Sequence, residues 1–224
     1  MQPYMFPYLG YFQLISTVDR YVIYDDVNFI KGGWINRNNI LLNKQKHLFT
    51  ITLNHPSPNK LINEIQIKDN FEKFRKTLIQ AYAKAPYFNG TINIIDQVLS
   101  HNEKTLSSFI ANSITTISTY LGIETEFILS SSLNKDKSLK NQDKVIHICK
   151  LLEADEYINA IGGQELYKRD DFSKKDLGLR FLNTPLNEYK QFNNTFIPGL
   201  SIIDVMMFNS TDEINRMLNN YELI

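Results

Sequence analysis

The feature that most limits the fold is a change of apolar period along the chain. Between about 71 and 122 the period is 3.6: Phe71, Phe74, Leu78 and Tyr82 mark one helical face, and Leu106, Phe109, Ile110, Ile114, Ile117 and Leu121 mark a longer one. Gly122 follows where a helix C-cap belongs. On either side the apolar runs are short and β-branched. Arg20-Tyr-Val-Ile-Tyr, Thr125-Glu-Phe-Ile-Leu-Ser, Glu156-Tyr-Ile-Asn-Ala and Leu179-Arg-Phe-Leu read as strands, with helices over Leu9 to Val18 and Asp143 to Glu153. Strands separated by helices predict an α/β fold: a mainly parallel sheet of βαβ units, carrying the helical stretch as an insertion. Asn39-Ile-Leu-Leu-Asn and His47-Leu-Phe-Thr-Ile-Thr-Leu flank Lys44-Gln-Lys and predict a β-hairpin. With 224 residues, one α/β domain over 1–224 is expected.

Open parallel sheets bind ligands beyond the carboxyl ends of their strands. Three polar clusters fall at such ends: Asp25 with Asp26, Ser130 to Ser132, and Gly162 and Gly163 with Gln164. The richest polar chemistry lies in residues 1–40, which hold two prolines, three glycines, the single tryptophan, the paired aspartates, Lys31 and Arg37. A site for a polar ligand combines apolar walls with a few placed donors and acceptors. The candidate contacts there are Gln2, Tyr4, Tyr8, Tyr11, Lys31, Trp34, Asn36, Arg37 and Asn38, with Gly162 and Gly163 as a phosphate-facing turn. Gly32 and Gly33 let backbone approach a ligand closely. Arg37 offers a planar fork for phosphate or carboxylate. Asp25 and Asp26 are the candidate catalytic carboxylates, able to bind a metal, a sugar hydroxyl or an amine, or to act as a base. The competing reading of the pair is a strand-end turn whose aspartates bond their own backbone.

Other classes are less well served. Lysine plus arginine (24) equals aspartate plus glutamate (24), so no global field draws the chain to nucleic acid. No apolar run approaches the length of a membrane span, and no charged-then-apolar leader opens the chain; a cytoplasmic protein is expected. The lone Cys149 reads as a buried thiol on the apolar side of its helix. The four histidines lack metal-pair spacing, and His101 is read as starting a helix. No metal is expected, the cofactor is left open, and a homo-oligomer stays possible.

Several motifs together carry a family resemblance: Gln2-Pro-Tyr, Pro7-Tyr-Leu-Gly-Tyr-Phe, Tyr24-Asp-Asp-Val, Trp34-Ile-Asn-Arg-Asn, Ala85-Pro-Tyr-Phe, Gly162-Gly163 and Leu200-Ser-Ile-Ile-Asp-Val-Met-Met-Phe-Asn. The chain resembles the WbqC-like family nearly end to end. The resemblance implies a place in bacterial O-antigen and other surface-polysaccharide biosynthesis, alongside enzymes for amino sugars. Hence the expected substrate is a nucleotide-linked amino sugar and the expected reaction acyl or aminoacyl transfer; the alternative is a non-catalytic protein that binds a sugar nucleotide or a glycosyltransferase. Family members begin several residues earlier with a short apolar strand, so either that strand is missing here or the start lies at an internal methionine. The fold is expected to be Rossmann-like or nucleotidyltransferase-like, and the strand, Pro/Gly loop, helix, strand opening is similar to that of nucleotidyltransferase-like enzymes. Those enzymes carry Gly-His where this chain has Gly10-Tyr11.

Overall fold

A computed structural model of the chain describes residues 1–192 and 195–224. The first elements are α1 (Leu9–Ser16), β1 (Arg20–Ile23), the hairpin β2 (Arg37–Leu42) and β3 (Gln45–Thr50), and the short pair β4 (Leu53–Asn54) and β5 (Gln66–Ile67). Three helices follow: α2 (Glu72–Tyr82), α3 (Phe88–Leu99) and α4 (Leu106–Tyr120). The second half holds β6 (Glu126–Leu129), α5 (Asn141–Leu151), β7 (Glu156–Ala160), α6 (Arg169–Ser173), β8 (Gly178–Asn183), α7 (Ile202–Phe208), α8 (Thr211–Leu218) and β9 (Glu222–Leu223).

The architecture is mixed α/β, with small sheets rather than one mainly parallel sheet. β1 pairs in parallel with β6, and β7 in parallel with β8; β2–β3, β4–β5 and β8–β9 are antiparallel. In β2–β3 a short connection imposes the antiparallel pairing, because a tight turn can only reverse the chain, whereas α7 and α8 lie between β8 and β9. In the hairpin that turn is Asn43-Lys44, both at positive φ (51° and 63°), the backbone a two-residue hairpin loop requires. The expected turn sat one residue later.

β1 makes backbone hydrogen bonds on both sides, to β6 and to Met1. Its odd-numbered side faces β6, where the Glu126 amide donates to the Asp19 carbonyl at 2.9 Å. The even-numbered side meets Met1: the terminal nitrogen donates to the Val22 carbonyl and Tyr24 N–H to the Met1 carbonyl, both at 2.8 Å. The loop from Gln2 to Tyr8 therefore leaves from beside the carboxyl end of β1.

The main core joins α1, β1, the hairpin, α2 to α4, and α7 and α8. The α4 stripe is buried as its spacing requires, and Gly122 beyond it takes φ +72°. Each such Leu, Ile or Phe contributes about 1.5–3 kcal/mol. Phe109, fully buried and stacked on Phe71 with centroids 4.9 Å apart, is a position where alanine would cost about 3–5 kcal/mol. A smaller core holds Ile146, Cys149, Phe172, Leu177, Leu179 and Phe181 between α5, α6 and β8. Cys149 is the buried thiol its helix position implies, whereas His101 follows α3 instead of opening a helix. No helix among the described residues is long and apolar enough to cross a membrane.

Candidate functional site

At the carboxyl end of β1 the two aspartates have different tasks. Asp25, 1% exposed, accepts the Ser131 amide at 2.9 Å on Oδ1 and the Ser131 hydroxyl at 2.6 Å on Oδ2. Its backbone carbonyl takes the Asn63 amide at 3.1 Å. Asp25 thus ties β1 to the 3₁₀ turn Ser130–Ser132 that ends β6, which joins two of the three polar clusters read from the sequence.

Asp26 points into different company. Its Oδ2 lies 2.8 Å from Lys135 Nζ and 3.4 Å from Lys144 Nζ. Lys135 also donates to the Ser130 carbonyl. The Lys144 ammonium sits 4.7 Å from the centroid of the Tyr24 ring. Burial pushes the Asp26 carboxyl up, but Lys135, Ser130 and Lys144 outweigh it and hold the group below the ordinary carboxylate range. Such a carboxylate is a weak base at neutral pH and a good anchor for cations and hydrogen-bond donors. Asp26 Oδ1 and Ser130 Oγ are both buried, and neither makes a hydrogen bond of normal geometry among the described residues. The Tyr24 phenol is raised by burial, then by Asp26 and Tyr167.

An open hollow of about 540 Å³ runs along the first turn of α5, lined among others by Lys140, Asn141, Gln142, Glu165 and Lys168 but by none of Asp26, Lys135 and Lys144. Gly162 and Gly163 lie in the 3₁₀ turn Ile161–Leu166 that leaves β7. A Cβ at Gly163 would meet Asn159 Nδ2 at 2.6 Å, so a side chain there would have to displace the Asn159 amide.

The N-terminal loop is fixed from below. Phe6 takes positive φ (44°), and its carbonyl accepts Asn38 Nδ2 and Ser201 Oγ, each at 2.7 Å. Ile202 N–H reaches the Pro7 carbonyl at 2.7 Å, and Met5 N–H the Ile35 carbonyl at 3.1 Å. The structure therefore joins the Gln2–Tyr8 loop directly to the Lys31–Asn38 segment. Asn38 is buried in that joint, and Asn36 Nδ2 donates to the Ile51 carbonyl at 2.9 Å. Arg37 turns back on its own loop, with Nε on the Gly33 carbonyl at 2.9 Å and Nη2 on that of Gly32, and its guanidinium 5.7 Å from the Trp34 ring. Lys31 and Trp34 are exposed. Tyr11 is fully buried, donates to the Gln2 carbonyl at 3.0 Å and packs on Tyr4 with centroids 5.7 Å apart. Tyr8 is 41% exposed, its ring folded over Gly10 at the start of α1.

Two groupings were not found by sequence reasoning. One is the lysine pair on Asp26. The other is a buried network around Asp204 on α7, which accepts Tyr82 Oη at 2.6 Å, Tyr189 Oη at 2.7 Å and Gln191 Nε2 at 2.8 Å. The Leu200-to-Asn209 motif flagged the segment but not these partners. Among the described residues no three His, Cys, Asp or Glu side chains are grouped to hold a metal. Burial pushes the Cys149 thiol up to about 11, far from a nucleophilic thiolate at neutral pH.

No solved structure matches this chain. A protein of Mycobacterium tuberculosis (strain ATCC 25618 / H37Rv), described as uncharacterized protein Rv1507c, is 25% identical over 217 residues, covering 89% of this chain and 88% of its own length. The model of the WbqC-like protein family matches residues 2–216, a span that runs from the Gln-Pro-Tyr loop through the Asp26–lysine cluster and Asp204 into α8. The chain belongs to the WbqC-like protein family.

Proposed function

We propose that the protein is a cytoplasmic transferase of bacterial surface-polysaccharide (O-antigen) biosynthesis, which modifies a nucleotide-linked amino sugar by acyl or aminoacyl transfer. The carrying observation is the gathering of Asp26, Lys135 and Lys144 beside Tyr24 at the carboxyl ends of the parallel pair β1–β6. The parallel pairs β1–β6 and β7–β8 support a fold of Rossmann-like or nucleotidyltransferase-like type, whose sheets bind ligands at that end. In this reading the lysines engage anionic parts of the substrate. The ionised Asp26 orients the sugar amine, while Tyr8 and Trp34 supply exposed aromatic surface near the linked loops. The amine nitrogen attacks the acyl carbonyl carbon, the donor's leaving group departs with the bonding electrons, and the amine proton passes to solvent or leaving group. The site's contribution is positioning and electrostatics.

A second reading, a protein that binds a sugar nucleotide or a glycosyltransferase without turnover, is favoured by the lack of an activated nucleophile among the described residues, with Cys149 buried and Asp26 ion-paired. One experiment separates the two. Purified protein is incubated with nucleotide-linked 4-amino sugars and a panel of acyl and aminoacyl donors, and products are read by mass spectrometry beside calorimetric binding. A mass-shifted sugar nucleotide supports the transferase. Binding without product across the panel supports the binding protein, and neither binding nor product removes both.

A further inference from the structure

We propose that Lys144 and Lys135 form a subsite for a phosphoryl oxyanion of the ligand, with Asp26 as the carboxylate that holds both ammonium groups in place. The proposal rests on the sugar-nucleotide reading for the source of the phosphate, and deepens it by naming the residues that take the charge.

Two ammonium groups share one carboxylate here. Lys135 is 3% exposed and Lys144 13%, so both have surrendered most of their water. An ammonium has three donors and no acceptor, and taking it out of water is costly unless those donors are used. Lys135 uses two, on Asp26 at 2.8 Å and on the Ser130 carbonyl. Lys144 has a contact to the same Asp26 oxygen at 3.4 Å, longer than a charge-assisted bond normally runs, and the face of Tyr24. Asp25 makes no ion-pair contact with either lysine, and its oxygens accept from Ser131 instead. Among the described residues Asp26 is the carboxylate in ion-pair contact with either lysine. The cluster therefore sets two ammonium groups against one ion-paired carboxylate, at the end of the sheet where a ligand is expected. Lys144 is the fourth residue of α5, so the partial positive charge of the helix start adds to the same sign. A dianionic phosphoryl group satisfies both the spare donors and the charge, whereas a neutral sugar hydroxyl satisfies only the donors.

The full chain is titrated by calorimetry with pyrophosphate and, separately, with a nucleoside diphosphate sugar. Lys144→Met keeps the stem and removes the charge, Lys144→Arg keeps the charge, and Lys150→Met on the exposed last turn of α5 is the control. Lys144→Gln, which retains a donor for Asp26, replaces the methionine variant if that one unfolds. Lys144→Met is expected to weaken both ligands about tenfold or more, as loss of a charge-assisted contact implies. Lys144→Arg should keep most of the affinity and Lys150→Met all of it. If Lys144→Met binds both ligands like wild type, the subsite is overturned while the substrate reading stands. If pyrophosphate binds through Lys144 but no sugar nucleotide binds, the subsite stands and the substrate reading falls. Binding of neither ligand by wild type overturns both.

Discussion

Ser131 donates twice to Asp25, through its amide at 2.9 Å and its hydroxyl at 2.6 Å, and so locks the end of β6 to the end of β1. Because Asp25 is buried, this carboxylate depends on protein donors for the solvation it has lost. Ser131→Ala removes one charge-assisted bond and is expected to cost about 1.5–3 kcal/mol in urea-denaturation stability. An unchanged urea midpoint would mean that the hydroxyl is dispensable and that Asp25 is held in some other way.

The same pair shows what could be read in the sequence. Placing Asp25 and Ser130 to Ser132 at strand ends needed only local runs of β-branched residues, and their direct contact follows from the parallel register of β1 with β6. The helical stripes of α2 and α4 were legible because each buries one face of a surface helix. α7 was not, because all seven of its residues are buried and no stripe can appear. Lys135 and Lys144 stand in a lysine- and asparagine-rich stretch that reads as solvated surface. Their pairing with Asp26 spans more than a hundred positions and leaves no local trace.

Asp26 sets a pH dependence on the acid side. Its carboxyl is held below the ordinary value of 3.8, so its contribution is present above that value and is lost as pH falls through the folded-state titration. Asp26→Asn should therefore melt below wild type at neutral pH, with the gap closing as pH drops below the ordinary aspartate range. A gap that stays constant down to about pH 3 would show that the ion pairs with Lys135 and Lys144 add no stability.

Asp204 has the opposite sign. Burial pushes its carboxyl above 3.8, against three donors from Tyr82, Tyr189 and Gln191 that act to lower it. Its favourable contribution is complete below the unfolded value and declines as pH rises toward the folded-state titration. Asp204→Asn should flatten that decline, measured as melting temperature across about pH 4 to 7. Tyr82→Phe tests the network itself. It deletes the 2.6 Å bond to Asp204 and leaves the Leu41 amide, now bonded to Tyr82 Oη at 2.8 Å, without its acceptor. A loss of about 1–3 kcal/mol is expected, and a wild-type stability would rule the network out as a support for the joint between α2, the hairpin and α7.

Tyr8 and Gly10 separate a binding role from a structural one. A Cβ on Gly10 would come within 2.6 Å of Tyr8 Cε2 and 3.3 Å of Cδ2, so Gly10→Ala must swing the ring away. The ring is 41% exposed, and alanine gains up to about 1 kcal/mol of helix propensity over glycine, which offsets the cost of displacing it. Melting temperature should hence stay near wild type. If Tyr8 lines the sugar-nucleotide site, affinity for a nucleoside diphosphate sugar should fall together with that of Tyr8→Ala, and to a similar extent. Gly10→Ala binding normally while Tyr8→Ala binds poorly would place the contact on a part of Tyr8 that the displaced ring can still present. Normal binding by both variants would remove Tyr8 from the site.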